Sequence, residues 1–262
     1  MGSNPSAGSD MFKFSIIFGI LLAFAGVYFL WNFPVFITDK GAKEQLEKQE
    51  VIELSGKTLF ISDFHLKKWH VGGSFDLDVS GVKQVMIVGD FFDSKGDFRA
   101  YGVTDAERIE RGLRTFLPAD FTGDGYFVWG YGHDPVLPES EYSLRKLQFY
   151  YLGEFGKFDI DGVSVVMLHG QHLHRGFLGG GFSWLVQKLN YPLLLERVGR
   201  NRFELDEDTW LIAAHSHVPA LHAESKTANT GSFAGVPFNS FFKIHVGTGV
   251  IVENGEVQLV EF

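Results

Sequence analysis

The chain has no cysteine. That excludes a disulfide scaffold, a thiolate metal site and a cysteine nucleophile. Basic residues are also in short supply: 23 Lys and Arg stand against 32 Asp and Glu, for a net charge of −9. Such a balance argues against a non-specific nucleic-acid binder, which needs a basic face, and against a nuclease. Internal repeats are lacking, and low complexity is confined to the first ten residues, MGSNPSAGSD, which read as an expression tag. With 45% hydrophobic and 21% charged residues, the 262-residue chain is not disordered by composition. Its length allows one large domain or two small ones, with a core that stands without staples.

One long uncharged run is present. Residues 14–31 read FSIIFGILLAFAGVYFLW, and the apolar character continues to Ile37. Eighteen such residues suffice to span a bilayer as a helix, so residues 11–38 are expected to form a single-pass anchor. Two rivals exist. Lys13 and Ala23-Phe24-Ala25 also fit a cleaved signal peptide, although cleavage there leaves an apolar stretch at the new terminus. A buried core helix is the other, though it usually carries a polar face. Lys40, Lys43 and Lys48 follow the run, and Lys13 with the native amino group precedes it. The excess leans toward a cytoplasmic soluble domain. Residues 39–55 are charged and rich in helix formers, and read as a solvated linker or short helix.

From residue 56 the chain alternates apolar runs with turn signals. KTLFIS (57–62), QVMIVG (84–89), GYFVWG (125–130), VSVVML (163–168) and WLIAA (210–214) read as buried strands. Thr104 and Glu107 predict a capping box for a helix over 104–117. Asp161-Gly162 and Asn254-Gly255 predict hairpin turns. Early strand–helix–strand order and late hairpins imply an α/β sandwich of mixed sheets.

The polar residues that follow these strands are the informative ones. Asp63 and His65 come after the first, Asp90 and Asp93 after the second, His133 and Asp134 after the third, His169 after the fourth, and His215 and His217 after the fifth. On an extended backbone, Asp63 and His65 would share a face. Taken singly, each is more often a structural histidine or a capping aspartate. Together they form a hard-to-borderline donor set at the strand ends where open α/β sheets place their sites, suited to Mn, Fe or Zn. A shared carboxylate allows two ions about 3.5–4 Å apart.

This order of motifs resembles the calcineurin-like metallophosphoesterase family. Its D-x-H, G-D-x-x-D, G-N-H-D/E, H and G-H-x-H appear as Asp63-Phe64-His65, Gly89-Asp90-Phe91-Phe92-Asp93, Gly132-His133-Asp134, His169 and Ala214-His215-Ser216-His217, with Asn229-Thr230-Gly231-Ser232-Phe233 a further similar stretch. The resemblance implies a four-layer α/β/β/α sandwich over 56–262 and two divalent metal ions, manganese favoured. Asp63, His65 and His217 would hold the first, His169 and His215 the second, with Asp90 bridging. His133 would stabilise the transferring phosphoryl group or protonate the leaving oxygen, and Asp134 would orient His133 by accepting its other ring N–H. The implied activity is phosphoester or pyrophosphate hydrolysis by a metal-bound hydroxide.

In one place the sequence departs from the pattern. Gly132 stands where the family has a ligating asparagine, so the second metal is expected to bind more weakly or to find another donor, with Tyr131, His172 and His174 nearby. A protein that has lost efficient catalysis and serves as a membrane-tethered binding or scaffold module is the alternative. Residues 176–203 form an insertion of two apolar helical pieces broken at Pro192, with Gly179–Gly181 as a hinge and Arg197, Arg200 and Arg202 beyond. It reads either as a helical hairpin packed on the core or as a lid over a lipid with arginines for phosphate. A helical insertion here resembles the UDP-2,3-diacylglucosamine hydrolase branch. The expected partners are a phosphate-containing small-molecule or lipid substrate and the membrane.

Overall fold

The computed structural model describes residues 40–68, 77–130, 132–174, 176–233 and 246–262, with the isolated positions 19, 23, 26 and 27. The tag-like residues 1–10 and almost all of the expected anchor, 11–38, lie outside that set. Among the described residues no helix is long and apolar enough to cross a membrane.

Two sheets face each other. The first runs β2 (Thr58–Ile61), β3 (Gln84–Val88), β4 (Asp124–Val128) and β6 (Gln148–Tyr151) in parallel. β5 (Glu141–Ser143) closes one edge, and the hairpin β12 (Thr248–Glu253) and β13 (Glu256–Glu261) closes the other. The second sheet has the order β1 (Val51–Leu54), β7 (Phe155–Ile160), β8 (Val163–Leu168), β9 (Trp210–Ala213), β11 (Thr227–Asn229), β10 (Ala220–His222). Both expected hairpins turn as type I′ geometry requires. Asp161 and Gly162 have φ of 49° and 84°, and Asn254 and Gly255 have 52° and 80°.

Strand alternation sorts the core into layers. Phe60, Met86, Val88 and Val128 point between the sheets, where they meet Val165, Met167 and Ile212. Their neighbours Leu59, Ile61, Val85, Ile87 and Phe127 point outward, onto the helices α2 (Lys95–Ala100) and α3 (Asp105–Leu113), through Phe98, Ile109 and Leu113. Thr104 and Glu107 form the reciprocal capping box at the start of α3. This helix ends at Leu113 rather than 117, and Phe116 and Leu117 are buried in the turn that follows.

Beyond the second sheet, Val166, Leu168, Leu211 and Ala213 pack on Ala42 and Leu46 of α1 (Lys40–Lys48) and on Phe203. Of the stretch expected to be a linker or short helix, 39–55, the described residues from 40 onward are therefore packed against the domain. α1 covers the sheet through two apolar residues four apart, and β1 pairs in parallel with β7. The insertion forms α4 (Gly176–Lys188) and α5 (Leu194–Arg202), broken at Pro192 as expected. Gly179–Gly181 lie inside α4 and are not a hinge between elements.

Candidate metal centre

Parallel pairing of β2, β3 and β4 in one sheet and of β8 and β9 in the other aligns their C-terminal ends. The loops beyond are stitched together by backbone bonds. Asp63 N–H donates to Gly89 O at 3.2 Å, and His65 N–H donates to Asp90 O at 3.0 Å. Ala214 N–H donates to His169 O at 3.2 Å. The strands end at Ile61, Val88 and Ala213, so these polar residues sit on turning backbone. Asp63, His65, Asp90, His215 and His217 have φ of 53°, 45°, 47°, 70° and 59°. Asp63 and His65 are brought together by this left-handed backbone, not by strand alternation. Non-glycine residues rarely adopt it, and the cost is on the order of 1–3 kcal/mol each.

Three groups of donor atoms result, each within 4.8 Å: Asp63, His65 and His217; Asp90, His169 and His215; and His65, Asp93 and His133. Asp90 faces two ways. Its Oδ1 lies 3.3 Å from His169 Nε2, and its Oδ2 lies 3.6 Å from His65 Nε2 and 4.0 Å from His133 Nε2. Asp63 Oδ1 is 3.0 Å from His217 Nε2. Buried Asp63 Oδ1, Asp90 Oδ1 and both His65 ring nitrogens make no hydrogen bond. Leaving such atoms unpaired costs about 1–3 kcal/mol apiece. These donors fit a pair of divalent cations.

The surroundings hold the donors in place. His169 Nδ1–H donates to Val88 O at 2.8 Å, which turns Nε2 toward Asp90 and toward His215 Nδ1, 3.0 Å away. Ser62 Oγ–H donates to Asp63 Oδ2 at 2.6 Å, and Ser232 Oγ–H donates to the Asp63 carbonyl at 3.1 Å. Behind the His215–His217 loop, Asn229 Nδ2 donates to Ala214 O, Ser216 Oγ and Glu196 Oε1. The Asn229–Phe233 stretch thus braces the Asp63 and His215–His217 loops from below. Gly130 is required by space, since a methyl there would collide with Asp90 Oδ1 and lie 2.5 Å from the Asp90 backbone nitrogen.

Charge follows the geometry. Burial pushes the Asp63 carboxyl up, but His217 and His169 outweigh it and hold it at about 2. Burial likewise opposes ionisation of Asp90, and His169 and His65 override it to hold this carboxyl far below the usual range. His169 is drawn down by burial and up more strongly by Asp90, to about 10. Burial and His169 push His215 down to about 3. His133 stands 41% exposed at the mouth, and Asp90 raises it above the usual imidazole range against the effect of burial.

Two expectations need correction. Asp134 does not orient His133. The His133 Nδ1–H donates to the backbone carbonyl of Asp93 at 2.8 Å. The Asp134 carboxylate is buried and accepts the backbone N–H groups of Phe92 at 2.9 Å and Gly130 at 3.0 Å, tying the two loops to each other. Burial and neighbouring Asp90 push its carboxyl up to about 7. Arg200 is not available for phosphate: it is buried, and its guanidinium donates to the carbonyls of Ser225, Leu205, Asp206 and Glu207. Asp93, the second aspartate of G-D-x-x-D, received no role from the sequence. The structure sets its Oδ1 3.3 Å from His65 Nδ1 and its Oδ2 3.6 Å from Lys67 Nζ.

No family model matches this chain, and no curated protein does. Solved structures align with it at low similarity. One from Streptococcus pneumoniae, described as a predicted phosphoesterase, is 14% identical with a TM-score of 0.40, covering 79% of this chain and 89% of that one. A phosphoesterase from E. coli is 15% identical with a TM-score of 0.37, covering 78% and 92%. A Vps29 complexed with zinc, from Entamoeba histolytica, is 13% identical with a TM-score of 0.38, covering 78% and 97%. Likenesses this distant carry no residue role or activity to this chain.

Proposed function

We propose that this chain is a dinuclear, divalent-metal-dependent phosphoester or pyrophosphate hydrolase. The observation that carries the reading is Asp90, whose two oxygens face separate donor groups. Asp63, His65 and His217 would hold one cation, His169 and His215 the other, and Asp90 both. Bound cations supply Lewis acidity toward phosphoryl oxygens and activation of water, and the donor set suits Mn, Fe or Zn, with Mn the first choice. The protein's own work lies around them. His133, whose charged form Asp90 favours and whose Nδ1 is held by the Asp93 carbonyl, stands partly exposed with Nε2 on the Asp90 side of the cluster. There it binds a non-bridging oxygen of the substrate or gives its proton to the departing oxygen.

The apolar run at 14–31 supports a membrane-anchored enzyme acting on a lipid-linked or nucleotide substrate, on the cytoplasmic side. The test is hydrolysis of model phosphodiesters and lipid pyrophosphates with Mn²⁺ by wild type, Asp90→Asn and His215→Ala. Loss of turnover in both variants with folding retained is expected; full activity in both refutes the reading. Gly132 supports a second reading, a metal-binding scaffold at the membrane. Metal uptake without turnover of any phosphoester would favour it.

A further inference from the structure

Helix α5 of the insertion reaches both loops that follow the strands of the second sheet. Gly199 abuts Leu173 in the turn after His169, where an added methyl would collide with Leu173 Cδ2. One turn earlier on the same face stands Glu196. It is 1% exposed, and its Oε1 accepts the Nδ2–H of Asn229 at 2.9 Å. Its Oε2 is buried and makes no hydrogen bond. A leucine at this position would fill the space without stranding a polar atom, so packing gives no reason for a carboxyl group here. What glutamate offers and leucine does not is an acceptor for Asn229.

The Asn229 amide is where the insertion meets the donor loop. Its Oδ1 accepts the Gly231 N–H at 3.0 Å. Its Nδ2 also donates to Ala214 O and Ser216 Oγ, each at 3.0 Å, on either side of His215. Two hydrogens thus face three acceptors, and the Glu196 oxygen is the one outside the loop. It holds the amide to α5. The helix in turn is pinned by Arg200, whose guanidinium donates to carbonyls in the segment 205–207 and at Ser225. The loop has need of such anchoring, since His215 and His217 have φ of 70° and 59°, a backbone conformation that a relaxed chain leaves. One loop also serves both donor groups: His217 belongs with Asp63 and His65, and His215 with Asp90 and His169.

We propose that Glu196 is a positioning residue for both cations: through Asn229 it fixes the 214–217 loop in the conformation that aims His215 and His217, so that the insertion braces the metal centre. The inference rests on the dinuclear reading above. It is tested on the full chain by calorimetric titration with Mn²⁺ of wild type, Glu196→Leu and Glu196→Gln. Wild type is expected to take up two equivalents. In Glu196→Leu, which keeps the bulk and removes the acceptor, both should bind about tenfold more weakly, the lower end of what losing a supporting partner costs. Glu196→Gln, whose Oε1 still accepts from Asn229, should bind like wild type. Wild-type affinity in Glu196→Leu, or equal weakening in both variants, overturns the positioning role. Fewer than two equivalents in wild type overturns the dinuclear reading instead. In the Co²⁺-loaded protein, the hyperfine-shifted imidazole N–H resonances of His215 and His217 should move in Glu196→Leu and return in Glu196→Gln. A lower Tm in Glu196→Leu with those resonances in place would reduce Glu196 to packing and refute the proposal.

Discussion

Asp134→Ala separates structural support from catalytic orientation. In wild type the Asp134 carboxylate is the acceptor for two buried backbone N–H groups, those of Phe92 and Gly130. Removing it strands both, at about 1–3 kcal/mol each. Relief of the repulsion between Asp134 and Asp90, which helps push Asp134 up to about 7, offsets part of that loss. A net destabilisation of about 2–4 kcal/mol is expected. In a domain of this size that lowers Tm by on the order of 5–15 °C. Because Phe92 and Gly130 flank Asp90 and His133, metal uptake should fall with stability. Asp134→Asn keeps one acceptor and should lie between the two. The folded-state value near 7 exceeds the ordinary 3.8, so stability from the protonated acid is complete below 3.8 and lost as pH rises to 7. The deficit of the asparagine variant in the metal-free chain should therefore narrow between pH 4 and pH 7. The assay is thermal melting by circular dichroism across that range, with metal stoichiometry. An Asp134→Ala protein that melts like wild type, binds both metals and loses only turnover would refute this account and restore the role of orienting His133.

Three further outcomes are expected. His169 holds a proton to about pH 10, while His215 is already neutral and Asp63 and Asp90 already ionised. Loading must displace the His169 proton, so metal affinity should rise about tenfold per pH unit from 7 to 9; affinity flat with pH, measured calorimetrically, counts against it. Gly130→Ala should abolish metal uptake, because the added methyl strikes Asp90; retention of two equivalents by elemental analysis would contradict the packing. Burial raises the Glu196 carboxyl above its ordinary 4.5, with Asn229 opposing, so its neutral form stabilises the fold below 4.5 and that contribution fades as pH rises. Glu196→Gln should gain on wild type in Tm from pH 4.5 upward, and parallel Tm curves would show that Glu196 does not titrate there.

The strand ends were legible because chemistry and topology coincide there: buried runs of four apolar residues, Val85–Val88 and Val165–Leu168, announce β3 and β8, and the Asp or His that follows has no packing reason to be present. That the short helix of the 39–55 stretch packs on the sheet was hidden for an equally physical reason. α1 buries only Ala42 and Leu46 amid seven polar or glycine residues, too thin a stripe to stand out. Asp134 looked like a partner for its neighbour His133, but the Asp93 carbonyl already took that ring N–H, a contact set by tertiary structure alone. Arg200 followed the apolar pattern of α5 and read as a solvated end. The carbonyls that satisfy it belong mainly to the segment after the helix, which folds back beneath it.

The left-handed backbone at Asp63, His65, Asp90, His215 and His217 was invisible in sequence, and it bears most directly on the proposed function. Each such residue opposes folding, and a protein free to choose would place glycine or asparagine there. Instead the positions hold aspartate and histidine, whose side chains converge on donor groups containing unpaired buried atoms. Two independent penalties, backbone strain and missing hydrogen bonds, coincide at Asp63, His65 and Asp90. The three hydrophobic layers behind the loops can bear them, because each fully buried Leu, Ile or Phe contributes about 1.5–3 kcal/mol before entropy is charged. Packing alone gives no reason for the penalties to coincide. A cation satisfies both at once: it supplies the missing partner for the orphaned atoms and rewards the backbone conformation that aims them. Under the dinuclear reading proposed above, metal binding would stabilise the loops that carry these penalties.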